Sequence, residues 1–521
     1  MGIYLNPDNI NFYEAVHSDI YIDKTELIAY TNQKMRTLHK NICVSRPRRF
    51  GKSMAANMLV AYYSCGCDSI KLFANFKIAR HPDFEKHLNQ YNVIYLNIQQ
   101  FLSRTDTIHD MLSMLERKVT RELKRAFSDI EFFEEDLASI MENIYSETET
   151  QFVFIIDEWD CIFRIRESDL NAQKEYLDFL RNLLKDQPYV ALAYMTGILP
   201  IKKYGEHSAL NMFDEYSMTD AEPLEEFVGF TEDEVKSLCQ NYSMDFVETK
   251  RWYDGYRLNR LSVYNPKSVV EAMMRKKFNN YWTKTETYES LKKYIQMDSF
   301  GLKEIVTELI AGKHVLVNPD KFQNDMTTFN SADDVMTLLV HLGYLTYDFD
   351  TKTVWIPNSE VQREFINSIE DGGWEHVMSS IRKSDELLNA TLNGDEEAVA
   401  ELIDKAHSDN TSILKYNDEN SLSCVISLAY YSARKTYTIE RELPAGKGFA
   451  DLVFRPRKNN NNPAMIVELK YDSSAEGALE QIKQKKYVDC LKDYSGEILL
   501  VGINYDKETK KHVCVIEKVY Q

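Results

Sequence analysis

Gly51, Lys52 and Ser53 follow directly on a basic run, Arg46-Pro47-Arg48-Arg49-Phe50, and lead into an apolar helical stretch. These residue types suit a loop that cradles nucleotide phosphates. A glycine lets the backbone approach closely, N–H groups at a helix start face the anion, and a lysine adds a point charge. Lys52 is expected to reach the outer phosphates of ATP, and Ser53 to offer its hydroxyl to Mg²⁺. The spacing GxxxxGK[ST] is met except that Arg46 stands at the first glycine. Arg46, Arg48 and Arg49 add positive charge and could touch phosphate themselves. A basic turn capping a strand would read the same way, so the loop needs corroboration.

The corroboration is "QFVFIIDEWD", an apolar run ending in Asp157 and Glu158, about 105 residues beyond Lys52. An acid at the C-terminal tip of a parallel strand lies where such sheets bind ligands. Asp157 is expected to hold Mg²⁺ through water, and Glu158 to polarise the water that attacks the γ-phosphate. A further run, "YVALAYMTG", ends in Thr196, which either senses the γ-phosphate or is simply a strand threonine. Arg164, Arg166 and Arg181 are near enough in sequence to supply an arginine finger, and the sequence does not choose among them.

A second cluster lies in "GKGFADLVFRPRKNNNNPAMIVELKY". Side chains two apart on a strand share a face, so Glu468 and Lys470 point together, and Asp451 can join them across a hairpin. Two carboxylates and a backbone carbonyl suit Mg²⁺. Such an ion clamps a phosphodiester and acidifies water, with Lys470 positioning that water. Glu419 could supply a further acid to the metal. Gln481 and Lys485, one helical turn apart, could reach a nucleic-acid phosphate. An exposed, salt-bridged hairpin would show the same pattern.

The elements that must position these residues fall into blocks. Up to about residue 270, buried-strand runs (Asn41–Ser45, Val93–Ile98, Phe152–Ile156, Val190–Thr196) alternate with helical stretches, which predicts an α/β sheet domain. Residues 271–375 read as a helical domain ending helix, strand, turn, strand, helix, in the order of a winged helix. A polar helical connector covers 376–410. From 411 to 521 the order is helix, three strands, helix, two strands, with an Asn459–Asn462 turn. "RWYDGYRLN" (Arg251–Asn259) reads as packing rather than chemistry.

The 521 residues carry 62 Lys plus Arg and 81 Asp plus Glu, a formal charge of −19. That excludes a protein basic over its whole surface, though not a local basic groove. Residues 441–521 are the least acidic part, with 14 Lys/Arg against 12 Asp/Glu. No apolar run approaches the roughly 20 residues needed to span a bilayer, and the N-terminus has no signal core. The eight cysteines form no CxxC pair and read as free thiols in a reducing cytoplasm.

Together these residues resemble a bacterial family that pairs an AAA-like ATPase domain with a C-terminal PD-(D/E)XK nuclease domain. The resemblance is carried by "YIDKTELI" (Tyr21–Ile28), "SRPRRFGKS" (Ser45–Ser53), "IIDEWD" (Ile155–Asp160), "TGI" (Thr196–Ile198), "GFTEDEV" (Gly229–Val235), "WYDGYR" (Trp252–Arg257), "VYNPKSV" (Val263–Val269) and the C-terminal "GKGFADLVF", "IVELKY" and "ALEQIKQKKY". It implies a P-loop ATPase using Lys52, Ser53, Asp157 and Glu158, and a restriction-endonuclease-like core centred on Asp451, Glu468 and Lys470. The family's usual loop also carries Arg at the first glycine. Trp159 departs from a more common Tyr, and Phe449-Ala450 from an Arg-Tyr pair. A role in phage defence or mobile elements is implied by the resemblance alone.

The expectation is therefore a cytoplasmic ATPase coupled to a Mg²⁺-dependent nuclease acting on DNA, with nucleotide gating the nuclease through the middle block. A homo-oligomer is compatible with it. The competing reading is a nucleotide-switched module that binds nucleic acid or protein without cutting, which the acidic charge favours and the intact Asp451, Glu468 and Lys470 set opposes.

Overall fold

The computed structural model describes residues 2–201, 210–282, 288–297, 299–324, 326–410, 419–446, 448–458 and 460–520. Its first strands are β1 (Asn41–Ser45), β2 (Asn92–Asn97), β3 (Phe152–Asp157), β4 (Val190–Gly197) and β5 (Asp214–Tyr216), all parallel. Every residue of β1, β3 and β4 is buried, which is why their sequences are continuous apolar runs rather than alternating ones. Strand β5 is short, polar and half-buried at the sheet edge, so its sequence carries no such signal.

The strand order is β2-β3-β4-β1-β5. β4 thus separates the strand that precedes the basic loop from the strand that ends in the acids. Because all run parallel, their C-terminal ends share one edge. Register places Val44 beside Thr196, and Ile156 beside Met195. Thr196 therefore stands between the loop and Asp157.

Cα packing divides the chain into two compact units: Met1–Thr287 with Leu316–Gln362, and Tyr288–Val315 with Arg363–Gln521. The stretch 271–375 is accordingly shared between them. Within the first unit, helix α1 (Lys52–Tyr63) leaves the basic loop, and α2 (Cys161–Ile165) follows the acidic strand. A small antiparallel sheet comprises β6 (Phe230–Thr231), β7 (Tyr256–Leu258) and β8 (Leu261–Tyr264). Helices α3 (Glu232–Tyr242) and α4 (Pro266–Arg275) pack with it. The expected helix–hairpin–helix order is present: α5 (Ala332–Leu342), then β9 (Thr346–Asp348) paired antiparallel with β10 (Thr353–Trp355), then the helix Ser359–Asp371.

The second unit carries a mixed sheet in sequential order, β11 (Tyr437–Ala445), β12 (Gly448–Pro456), β13 (Ala464–Tyr471), β14 (Glu497–Asp506) and β15 (Lys511–Tyr520). Its pairs are antiparallel except β13 with β14, whose parallel crossover is made by helix α8 (Ala475–Gln484). Helices α6 (Glu396–Asn410) and α7 (Glu419–Ala429) are among the helices of the unit. Gly502 is where α8 closes onto the sheet: a Cβ there would lie 2.3 Å from the carbonyl oxygen of Ala475. Among the described residues no helix is long and apolar enough to cross a membrane. All eight cysteines are free.

Candidate functional site

The basic loop turns sharply before its helix. Arg49 and Gly51 both have positive φ, 69° and 95°, and Gly51 is the N-cap of α1. A glycine adopts that geometry without strain, and the turn aims the first N–H groups of α1 outward. Lys52 is 5% exposed and donates to the Pro47 carbonyl at 3.0 Å. Burial lowers its pKa, while Glu158, Asp157 and Asp160 work to keep it charged. Ser53 is exposed.

Gly51, Lys52 and Ser53 line a cavity of about 940 Å³, together with Arg48, Arg49 and Phe50. Glu158 and Arg164 join them in its wall. The remaining wall is largely apolar, with Ile20, Ile22, Met58, Phe230 and Val270. Basic and apolar side chains lining one cleft suit an anionic ligand with a flat apolar portion. Lys24, also in the wall, is held by Glu234 at 2.6 Å and by the Glu226 carbonyl at 2.7 Å. Glu234 is itself the N3 residue of the capping box that starts α3 at Thr231. Asn265 caps α4, which contributes Pro266 to the wall. Four motifs far apart in sequence, around residues 22, 51, 230 and 266, therefore meet at one cleft.

Arg46 and Pro47 do not line it. Arg46 is wholly buried, and its Nη1 donates to the carbonyls of Ser45, Tyr216 and Ser217 at 2.9, 3.0 and 3.2 Å. Its side chain thus ties the root of the loop to strand β5, and its guanidinium lies under the loop rather than in the cleft. The Arg48 carbonyl accepts from Trp282 Nε1 at 3.3 Å. Phe50 packs edge-on against Tyr256 with centroids 5.0 Å apart. Tyr256 in turn donates to the Gly343 carbonyl at 3.0 Å. Gly255, at φ 103°, leaves no room for a Cβ beside Pro357. The aromatic motif packs behind the loop.

Asp157 is wholly buried just behind the cleft. Its Oδ1 accepts from the Thr196 hydroxyl and, at 3.1 Å, from the Glu158 N–H; its Oδ2 accepts from Asn97 at 3.3 Å. Glu158 is turned toward the cleft by a positive φ of 55°. Its carboxylate pairs with Arg164, whose Nε also donates to Asp160 at 3.0 Å. Of the three candidate arginines, Arg164 alone lines the cavity; Arg166 donates to the Asp106 carbonyl and Arg181 pairs with Asp178. Trp159 packs on Gly197, where a Cβ would lie 2.6 Å from its Nε1. Asp160 and Asn97 were not singled out from sequence. Asn97 meets Asp157 across two strands, and Asp160 accepts from the Leu199 N–H 39 residues on, so local spacing does not reveal these contacts.

The second cluster assembles across β12 and β13. Leu452 pairs with Val467, so Asp451 and Glu468 come opposite one another. Asp451 Oδ2 accepts from the Leu469 N–H at 2.7 Å, and Lys470 Nζ lies 3.4 Å from Glu468 Oε1. Gln481 on α8 donates to the same Oε1 and lies 3.3 Å from the Tyr487 hydroxyl. Gln481 thus contacts the acid rather than standing apart as a phosphate ligand. Lys485, the C-cap of α8, lies against Gly448. Glu419 opens α7, and its side chain lies outside the described residues, as does Asn459 of the expected turn.

Glu468 is 2% exposed, and its Oε2 is buried without a hydrogen-bond partner. Burial, reinforced by Asp451 and opposed by Lys470, pushes its carboxyl up to about 7. A buried carboxylate oxygen with no donor beside a second carboxylate fits a hard cation. Among the described residues no group of three His, Cys, Asp or Glu side chains is gathered for a metal.

Residues 10–205 match the family model described as predicted AAA-ATPase, and residues 417–514 match that of the PD-(D/E)XK nuclease superfamily. Among curated proteins, the chain is 21% identical over 500 residues to an uncharacterized protein in the vnfD 5′ region of Azotobacter chroococcum mcd 1, covering 90% of each. Among solved structures, it is similar to the Walker-type ATPase PABY2304 of Pyrococcus abyssi, at 14% identity and a TM-score of 0.34, covering 66% of this chain and 94% of that one. It is also similar to the ORC2 protein of Aeropyrum pernix, at 11% identity and a TM-score of 0.23, covering 69% and 98%.

Proposed function

From a chain that joins an AAA-ATPase-like domain to a PD-(D/E)XK nuclease superfamily domain, we propose an ATP-hydrolysing protein whose C-terminal domain cleaves DNA with a divalent metal, Mg²⁺ first among candidates. The observation that carries the first half is the cleft where Lys52, Ser53 and Glu158 meet at the N-terminus of α1. Lys52 and the first N–H groups of α1 hold the phosphates. Ser53 and Asp157 would hold Mg²⁺, which supplies charge neutralisation on the β- and γ-phosphates. Glu158 orients the attacking water and Thr196 keeps Asp157 in place.

The second half rests on the buried Glu468 Oε2, which has no hydrogen-bond partner, on a residue whose strand register sets it opposite Asp451. Asp451 and Glu468 would hold the divalent ion, which lowers the pKa of water and offsets charge on the phosphate. Lys470 positions the attacking water, and Gln481 fixes the rotamer of Glu468.

The test is cleavage of labelled duplex DNA, single-stranded DNA and RNA with Mg²⁺ or Mn²⁺, with and without ATP, beside Lys470→Ala and Lys52→Ala proteins. Cleavage of DNA, lost with Lys470→Ala and altered with Lys52→Ala, is expected. Intact ATP turnover with no cleavage of any substrate would favour the nucleotide-switched binding module, which the −19 charge also favours.

A further inference from the structure

The two acids that hold Arg164 differ in kind. Asp160 is wholly buried, and its Oδ2 also accepts from the Leu199 N–H at 2.8 Å. That carboxylate is fixed by the strand-end backbone, and it fixes the Arg164 Nε at 3.0 Å. Glu158, by contrast, sits in the cleft wall with its side chain 20% exposed, and it holds the other end of the guanidinium, Nη2. Arg164 is thus tethered at one end by a rigid acid and held at the other by a solvent-facing one. Its side chain is only 7% exposed, yet it lines the same cleft as Lys52 and Ser53.

A guanidinium offers its N–H groups in a planar fork that suits phosphate oxygens as well as a carboxylate. A terminal phosphate brings more than one negative charge and three acceptor oxygens to that fork, against the single charge of Glu158. We propose that Arg164 reads the γ-phosphate from within the same chain: it stays anchored on Asp160, exchanges Glu158 for the γ-phosphate, and so releases the Glu158 carboxylate to the attacking water. No bond is made or broken in this exchange, only ion-pair partners. The consequence is that the site distinguishes a triphosphate from a diphosphate, because ADP leaves Arg164 on Glu158. This rests on the nucleotide reading of the cleft given above.

The test measures ATP and ADP affinities of the full chain by calorimetry, for the wild type, Arg164→Gln and Arg164→Lys. With Arg164→Gln, ATP affinity is expected to fall roughly tenfold or more while ADP affinity changes by less than about twofold. Arg164→Lys keeps the charge but not the fork, and restores part of the loss. It also serves if Arg164→Gln does not fold. An unchanged ratio of ATP to ADP affinity, or an equal loss for both nucleotides, would overturn the exchange and leave Arg164 as a structural clasp. A wild-type chain that binds neither nucleotide would overturn the nucleotide reading, and the exchange with it.

Discussion

Arg46 Nη1 lies 3.0 Å from the carbonyl oxygen of Tyr216, so the residue that stands at the first glycine of the phosphate-loop spacing is a bolt between the loop and strand β5. With no side chain, a glycine there could not bridge to the Ser45, Tyr216 and Ser217 carbonyls. Arg46→Ala removes one donor from three backbone carbonyls and leaves a large void. The expected loss is about 3 kcal/mol or more of unfolding free energy, read from urea denaturation. A loss confined to nucleotide affinity, with stability unchanged, would contradict this role.

Glu158→Gln keeps the shape of the side chain and its acceptor oxygen but removes the charge proposed to polarise water. Turnover of ATP is expected to fall by about 10²- to 10⁴-fold while ATP still binds. Steady-state hydrolysis measured beside a binding isotherm separates the two. Turnover at the wild-type rate would remove Glu158 from the reaction.

The Glu468 carboxyl, pushed up to about 7 by burial and by Asp451, makes a signed prediction. The unfolded chain ionises it near 4.3, so between there and about 7 the folded protein keeps a proton that the unfolded chain has lost. Its contribution to stability is present below that window and is lost as pH rises through it. Glu468→Gln is therefore expected to stabilise the protein at pH 8, by on the order of 3 kcal/mol, and to change little at pH 5. Because a cation must displace that proton, Mn²⁺ affinity should fall about tenfold per unit of pH below 7. Calorimetric titration at pH 6, 7 and 8 tests this, and a flat profile would contradict it.

Gly502 pairs in register with Glu468 and lies under α8. A methyl group there meets the Ala475 carbonyl at 2.3 Å, which is backbone and cannot swing aside. Gly502→Ala should cost about 1–3 kcal/mol and shift α8, drawing Gln481 away from Glu468. Cleavage is expected to suffer while ATP turnover persists; equal loss of both would argue against a local effect.

Several features were legible in the sequence because they are local. Strands β1, β3 and β4 are continuous apolar runs, and burial on both faces requires that. Gly51-Lys52-Ser53 open the helix that follows β1 and Asp157-Glu158 close β3, and their residue types suit the phosphate and metal chemistry proposed for them. The alternation that puts Glu468 and Lys470 on one face is a property of any strand. The pairing of an ATPase-like with a nuclease-like domain was readable from the same motifs. The tertiary structure decided the rest, because each remaining feature depends on how the chain turns or on which segments it brings side by side. Arg46 meets Tyr216 only because β5 lies beside β1, and β5 is too short and polar to show in a hydrophobic pattern. Thr196 reaches Asp157 only because β4 lies between β1 and β3. Arg164 was one of three equivalent arginines until the turn after β3 brought it to Glu158 and Asp160. Gln481 contacts Glu468 only where Gly502 lets a helix approach the sheet. Residue type and spacing carry chemistry and periodicity along the chain, whereas which side chain faces which is set by strand order and by the close approaches that packing allows.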